Sequence, residues 1–501
     1  MEFPNPILSK GENLMADKFS VAQLPLFPAW RLPPKNPGKS STLHTYWLHP
    51  EALPEMARTS PILQRYLALL GPLHWEVFPE RNLQRDWGQP AIPYAAVLAA
   101  ELIRLNEGLA STQKLQQFLL EHSDFIWLLG FPVVPQPDSA LGFNALASLP
   151  TRRHVNRLFR QIPNAVLQSL LTDSVQLILL ELQSLGVGPI DCVSLDTKHI
   201  LAWVKENNPK AYVSERFNKT KQPAGDPDCR LGCKRRHNRR VASDTPTTNP
   251  RAATTIKVGE YHWGYGSGVV VAKIPERAEF VLAELTQPFD QGDVSYFFPL
   301  MQAVEQRLGY RPRIGTGDAA FDAWYVYAHF YRENDPLGGF AAVPFSEKGG
   351  YKAQGRHFAA DGRPLCAAGL AMPLQFTYTD RTSCLIEHER GKYVCPLRFP
   401  TQIARACPAH AKRWRKGGCV AMMPVSIGAR LRYQLDRHSE AYLAAYRQRT
   451  AVERINSQAV AFGIERPHLR NGGAIANQNT LIYVLINLHC LQRLRQFRGL
   501  A

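Results

Sequence analysis

The sequence predicts an α/β protein: a mixed sheet with flanking helices, a helical domain ahead of it and a Cys-rich insertion before the last helices. Two changes in hydrophobic period carry this reading. From Pro93, PYAAVLAAELIRLNEGLASTQKLQQFLLEHSDFIWLLGF places apolar residues at three- and four-residue steps, the spacing of amphipathic helices. After Gly188 short apolar runs bounded by turns take over, the pattern of strands.

Taken in order, residues 1–85 are rich in Pro and aromatics without a sustained period and read as an extension with short helices. Residues 86–186 read as a helical domain. Gly108 and Ser111 mark a turn between two of its helices, and a further helix over about 165–185 stops at Gly186. Such helices on a basic protein can dock on DNA, and packing alone explains them equally well. In residues 187–336, PIDCVSLD is a run ending at Asp196, followed by YGSGVVVAKI and EFVLAELTQPF, of which two or three would pair antiparallel. The helix VSYFFPLMQAVEQRLG leads into RPRIGTGDAAFD, a short strand delivering Asp318 at its end, and then into the helix AWYVYAHFYREN. Strand, strand, strand, helix, strand, helix is the order of a ribonuclease-H-like domain. Residues 337–437 interrupt it as a Gly- and Cys-rich insertion. Residues 438–501 complete the domain with a helix over 438–462 and a last amphipathic helix, NTLIYVLINLHCLQRLRQF.

A chain of 501 residues with 45% hydrophobic content can build several cores. Its longest apolar stretch, AVLQSLLTDSVQLILLEL, is broken by Gln, Asp, Ser and Glu before the roughly 18 uninterrupted residues of a membrane span. No membrane helix is expected. The N-terminus carries acids early and lacks a basic start followed by an apolar block, so a cytoplasmic location is expected. Lys plus Arg is 59 against 42 Asp plus Glu, a net charge of +17 that favours polyanionic partners, nucleic acid first. The charge is clustered. RLGCKRRHNRR, residues 230–240, holds six basic residues and no acid, with Arg235 and Arg236 at its centre as candidate phosphate contacts. KRWRK, residues 412–416, places Trp414 among four cations, a pattern that can hold phosphates and stack a base.

Nine cysteines in a cytoplasmic chain point to thiols or metal ligands rather than disulfides. Five of them, Cys366, Cys384, Cys395, Cys407 and Cys419, fall in the insertion. Cys395, Cys407 and Cys419 are separated by eleven residues each time, and Cys366, His388 or His410 could complete a tetrahedral structural zinc shell. Free buried thiols are the alternative. Cys229 and Cys233 form a weaker pair with no second pair nearby.

The acids complete the picture. In YRQRTAVERINSQ, residues 446–458, Glu453 sits among Arg447, Arg449 and Arg454. A solvated ion pair on a helix surface is the plain explanation. On one continuous helix, however, Tyr446, Arg449 and Glu453 fall at i, i+3 and i+7 and share a face, where an acid can bind a cation while the arginine grips a phosphate. Asp196 and Asp318, each after an apolar strand, are the carboxylates that could meet Glu453 around a pair of hard divalent cations.

On these residues the chain resembles the DDE-type insertion-sequence transposases over most of its length after Pro93. Tyr446, Arg449 and Glu453 match the family's Tyr, two residues, Arg, three residues, Glu signature, although a lysine of that pattern is replaced here by Val460. GDAAFD resembles its second-Asp motif, DPDCRLGCK with HWGYGSGVVVAK its second-strand region, and PYAAVLAAELIRLNEGLAS its helical N-terminal region. The resemblance implies a catalytic triad of Asp196, Asp318 and Glu453 holding two Mg²⁺ or Mn²⁺ ions, with Tyr446 and Arg449 at DNA phosphates. It further implies double-stranded DNA as substrate (element ends and target), a homodimer in the synaptic complex and a prokaryotic, nucleoid-associated setting. Two alternatives stand beside it: a catalytically silent DNA-binding protein, and a nuclease of the same fold that cuts without strand transfer.

Overall fold

A computed structural model of the chain describes residues 43–80, 91–234, 240–242, 254–256, 260–333, 338–346, 356–381 and 385–500. The chain divides into two compact units, Met1–Leu177 with Thr480–Gln496, and Ile178–Asn479 with Phe497–Ala501.

The first unit is helical. The Tyr94–Asn106 helix is Ala- and Leu-rich and buried almost all round, and its one buried acid, Glu101, is paired with Arg104 one turn on. It ends before Gly108, whose φ of +63° suits a residue without a side chain. Ser111 then accepts the Lys114 N–H and caps Thr112–Glu121, so the turn falls where Gly108 and Ser111 place it. Helices at Leu43–Leu48, Glu55–Thr59 and Pro61–Leu70 belong to this unit rather than to a separate extension. Tyr66 of the last of them donates to Glu107 at 2.5 Å and accepts from Asn106 at 2.9 Å, a part-buried link to the Tyr94–Asn106 segment. Residues 480–496 also join this unit, with Asn487 donating to Ser174 and His489 bonded to Asn106, whereas the sequence reading assigned them to the catalytic domain. A small hairpin pairs β1 (Val134–Pro135) with β2 (Phe143–Asn144).

Among the described residues one helix, Asn164–Ser184, is long and apolar enough by length and composition to cross a membrane, a test that the core helix of a folded protein also passes. It carries the Asp173 carboxylate, which accepts from the His74 N–H at 2.8 Å, and buries Leu167, Leu170, Leu171 and Val175. That is how the core helix of a folded unit behaves.

The second unit is mixed α/β, with a mixed sheet and flanking helices. Its strands are β3 (Cys192–Leu201), β4 (Arg230–Lys234), β5 (Arg240–Ala242), β6 (Thr254–Ile256), β7 (Glu260–Ile274), β8 (Ala278–Pro288), β9 (Ile314–Thr316) and β10 (Phe340–Ala342). The main sheet runs β10-β9-β3-β7-β4, with β8 also paired to β7. β3 is antiparallel to β7 and parallel to β9, which is parallel to β10; β5 and β6 form a separate hairpin. β7 is buried without interruption from His262 to Ala272, which requires cover on both faces. Register assigns the cover. Thr197 pairs with Gly268, where an added Cβ would lie 2.4 Å from the Tyr296 ring, so this face carries the 293–296 turn and the Phe297–Leu308 helix. Asp196 pairs with Val269 and points the other way, toward the Thr450–Ala461 helix.

β10 lies in the main sheet, so the insertion begins after it rather than at 337. The insertion's own sheet is antiparallel, ordered β11 (Leu374–Asp380), β12 (His388–Val394), β13 (Val420–Pro424). The Ile427–Gln434 helix follows and packs so closely on Trp324–Phe330 that a Cβ at Gly428 would strike the Trp324 carbonyl at 1.9 Å.

Candidate acidic metal site

Asp196 is not at a strand end, as the sequence suggested. β3 continues five residues to Leu201 because β7 stays paired with it as far as Gly264. What ends beside Asp196 is its parallel partner: β9 stops at Thr316, opposite Ser194. Two residues further on each chain come Asp196 and Asp318. The Asp196 side chain is 19% exposed, and burial pushes its carboxyl up to about 6. Arg449 and the Thr197 N–H oppose that shift, while Asp318 and Asp293 add to it.

Asp318 accepts the Ala320 N–H at 2.8 Å and caps the turn over Ala319–Phe321. The other acid of GDAAFD has a different role. Asp322 has a fully buried side chain, takes a two-pronged grip from Arg432, and accepts from Tyr327 and the Ser346 N–H. Its lone pairs are committed to joining the core to the insertion helix, which leaves Asp318 as the acid turned to the site.

Glu453 lies on the Thr450–Ala461 helix, but Tyr446 does not share it. The Glu440–Arg447 helix ends first, and Gln448 and Arg449 form a tightened turn in which Arg449 N–H bonds to Tyr446 O and Val452 N–H to Arg449 O. Tyr446 stacks on Tyr442 with rings 9° from parallel, yet it still acts electrostatically on Arg449. Arg449 is the centre of the arrangement. It bonds Glu453 at 2.7 Å, approaches Asp196 at 3.9 Å and is also influenced by Asp318. Burial works against its charge, but Asp196, Tyr446, Glu453 and Asp318 together hold its pKa above the ordinary arginine value. A solvated i,i+4 pair would leave the arginine in water; here it is 20% exposed while Glu453 is 56% exposed.

Asn456, one turn beyond Glu453, donates to Asp196 at 3.0 Å. The sequence reading missed it, although its i+3 spacing from Glu453 was a usable signal. It also missed Asp293, which accepts the Thr197 hydroxyl at 2.7 Å on the opposite face of β3 and reaches Asp196 only through its field. Of the arginines around Glu453, Arg454 is occupied by Glu279 of β8. Arg235 and Arg236 lie outside the described residues.

The donor set is carboxylate and amide oxygen, the chemistry of Mg²⁺ or Mn²⁺ rather than of a thiophilic ion. Asn456 Oδ1 is buried without a hydrogen-bond partner beside Asp196, an acceptor that suits a cation or its water. The residues therefore fit such an ion. In this structure the three acids are not gathered to ligand distance: among the described residues the only His/Cys/Asp/Glu trio with ligand atoms within 4.8 Å of one another is His44, His74 and Glu76. That trio lies in the N-terminal segment, for which sequence reasoning offered no role. His44 bonds the Gly71 carbonyl and His74 bonds Asp173, which fixes both rings.

Elsewhere, Trp414 has one face covered by the Arg398 guanidinium at 4.6 Å, while Lys412, Arg413, Arg415 and Lys416 are exposed. Cys229 is fully buried and donates to the Asp226 carbonyl, a structural thiol. Cys384 lies outside the described residues.

No protein-family model matches the chain, and no curated protein matches it.

Proposed function

We propose that the second unit is a ribonuclease-H-like catalytic domain and the chain a DDE-type DNA transposase, which cleaves element ends and joins their 3′-hydroxyls to target DNA. One observation carries the reading: Asp196 and Glu453, scattered in sequence, lie at the single guanidinium of Arg449, and Asp318 acts on the same group through its field. A sheet with three parallel strands, one antiparallel strand between β3 and β8, and helices on both faces supports the fold assignment.

Asp196, Asp318 and Glu453 would hold Mg²⁺ or Mn²⁺. When bound, a pair of such ions supplies Lewis-acid stabilisation of the attacking and leaving oxygens of an in-line phosphodiester displacement. The remaining work belongs to the chain. Asn456 orients the Asp196 carboxylate. Arg449, which neutralises the acids in this structure, would be freed to grip the scissile phosphate, and its planar fork suits two phosphate oxygens. Tyr446 positions Arg449. The nucleophile is water in end cleavage and the freed 3′-hydroxyl in joining, so no protein side chain forms a covalent bond to DNA. The net charge of +17 favours the duplex and makes its binding steeply salt-dependent. The helical unit is the candidate for end recognition, and a homodimer would bring two ends together.

The test is a supercoiled plasmid carrying the element's own ends, incubated with Mg²⁺ and either native protein or Glu453→Gln at equal DNA occupancy. Cutting and joining by the native protein, with binding alone by the variant, is the expected result. Equal cutting by Glu453→Gln reduces Glu453 to a surface ion-pair partner and ends the assignment. Cutting without a joined product assigns a nuclease, and native binding without cutting assigns a DNA-binding protein.

A further inference from the structure

The insertion has a small core for its size. The buried side chains of its cluster are Met372, Tyr393, Met423 and Ala429, and β11 and β13 are largely exposed along their length. Burial on this scale does not hold a three-stranded sheet by itself, and small modules of this kind depend on a covalent or metal staple.

Four cysteines stand where a staple would sit. The β12–β13 register ends at Val394 opposite Val420, so Cys395 and Cys419 face each other one step beyond the last pair. The backbone beside them is shaped for close approach: Gly418 has φ +91°, and a Cβ there would lie 2.6 Å from Cys395 Cβ and 3.1 Å from its Sγ. Cys366 opens a tight turn in which its carbonyl accepts the Gly369 N–H at 2.9 Å. The next amide in that turn, Ala367 N–H, donates to the Cys419 sulfur. Cys407, 6% exposed, opens a third turn with its carbonyl accepting from His410, and the Cys395 carbonyl accepts from Arg398 and Phe399. Cys419 is influenced electrostatically by Cys366, Cys395 and Cys407 together, so the four thiols share one neighbourhood.

We propose that Cys366, Cys395, Cys407 and Cys419 bind one structural Zn²⁺ as four thiolates, tying the turns before β11, after β12 and before β13 into one knot. Backbone N–H groups directed at cysteine sulfur stabilise thiolate charge, as Ala367 does for Cys419. His388 is excluded as a ligand. It opens β12, whose last residue precedes Cys395, so roughly 23 Å of strand separates them at about 3.3 Å per residue. His410 closes the turn after Cys407 at φ +47°, its N–H bonded to the Cys407 carbonyl, and it is exposed where the Cys407 thiol is buried. The four sulfurs are not yet gathered to coordination distance, since no three of them lie within 4.8 Å of one another. Binding would draw them in, with one proton released from each thiol to solvent as its thiolate meets the ion.

The test uses the full-length protein, expressed without a histidine tag and reduced, with zinc content measured by mass spectrometry and no DNA present, so its outcome is separable from the transposase assay. About one zinc per chain is expected in the native protein. Cys395→Ser and Cys407→Ser should lose it, while Cys490→Ser, on the last helix, should keep it. Because the first two variants could misfold, the native protein is also loaded with Co²⁺. Intense thiolate-to-cobalt charge-transfer bands with tetrahedral visible bands support the proposal. Native protein that holds no zinc after reduction and reloading, or a cobalt spectrum without thiolate bands, overturns it.

Discussion

Asp196 and Asp318 occupy equivalent positions on two parallel strands, each two residues past the Ser194–Thr316 pair. β3 runs on past this point and β9 does not, so the two acids leave the sheet region where one strand has lost its parallel neighbour. The site is therefore defined by the shorter strand.

Metal-free stability should depend on pH through Asp196. Burial raises its carboxyl to about 6, against about 3.9 for a solvated Asp. The folded state thus holds this proton more tightly, and the group's contribution is complete below about pH 3.9 and lost as pH rises through about 6. Between those limits native protein should lose on the order of 2 kcal/mol more than Asp196→Asn. Mg²⁺ should restore stability at neutral pH and do little near pH 5, where the proton competes. Thermal melts across pH with and without Mg²⁺ check this; equal Mg²⁺ stabilisation of Asp196→Asn would count against it.

Asn456→Ala should weaken divalent-cation binding by about 10- to 100-fold, the usual effect of removing a group that orients a ligand. DNA binding without metal should change little, because Asn456 faces Asp196 and not solvent. Mn²⁺ titration by calorimetry, beside a DNA-binding isotherm, separates the two effects.

The two acids of GDAAFD should part company. Asp322→Ala leaves Arg432 without its partner and should destabilise the fold by roughly 3–5 kcal/mol, as breaking a buried pair does. Asp318→Asn can keep the bond to Ala320 N–H and should lie within about 1 kcal/mol of native. Urea unfolding at fixed pH distinguishes them. Comparable losses in both would mean that Asp318 is structural too.

Gly268→Val should push the 293–296 turn off the sheet, since a Cβ there lies 2.4 Å from the Tyr296 ring. The expected loss is about 1–3 kcal/mol or more, as for overpacking a core. The Tyr296 bond to the Gly266 carbonyl should be broken with it. Gly292→Val is the matched control, because a Cβ at that glycine of the same region would meet nothing within 4 Å. Chemical denaturation of the two variants beside the native protein gives the comparison, and equal losses would remove the Tyr296 contact as the cause.

The features legible in the sequence were local. Hydrophobic period and turn chemistry placed the helix break at Gly108 and Ser111, the end of the long helix before Gly186, the antiparallel strands that became β3, β7 and β8, and the short strand that delivers Asp318. These depend on neighbours within a few residues, which the sequence displays directly. The rest was set by packing between distant segments. Whether β3 ends at Asp196 depends on how far β7, a segment distant in the sequence, stays paired with it. Asp322 and Asp318 look alike in sequence and differ because Arg432, 110 residues on, claims one of them. The helix expected to carry Tyr446, Arg449 and Glu453 together is divided at Gln448–Arg449, and Arg449 turns inward to the acids. A carboxylate's role is set by the charges and donors that surround it in space, and those come from segments whose meeting is fixed only when the sheet and its helices pack.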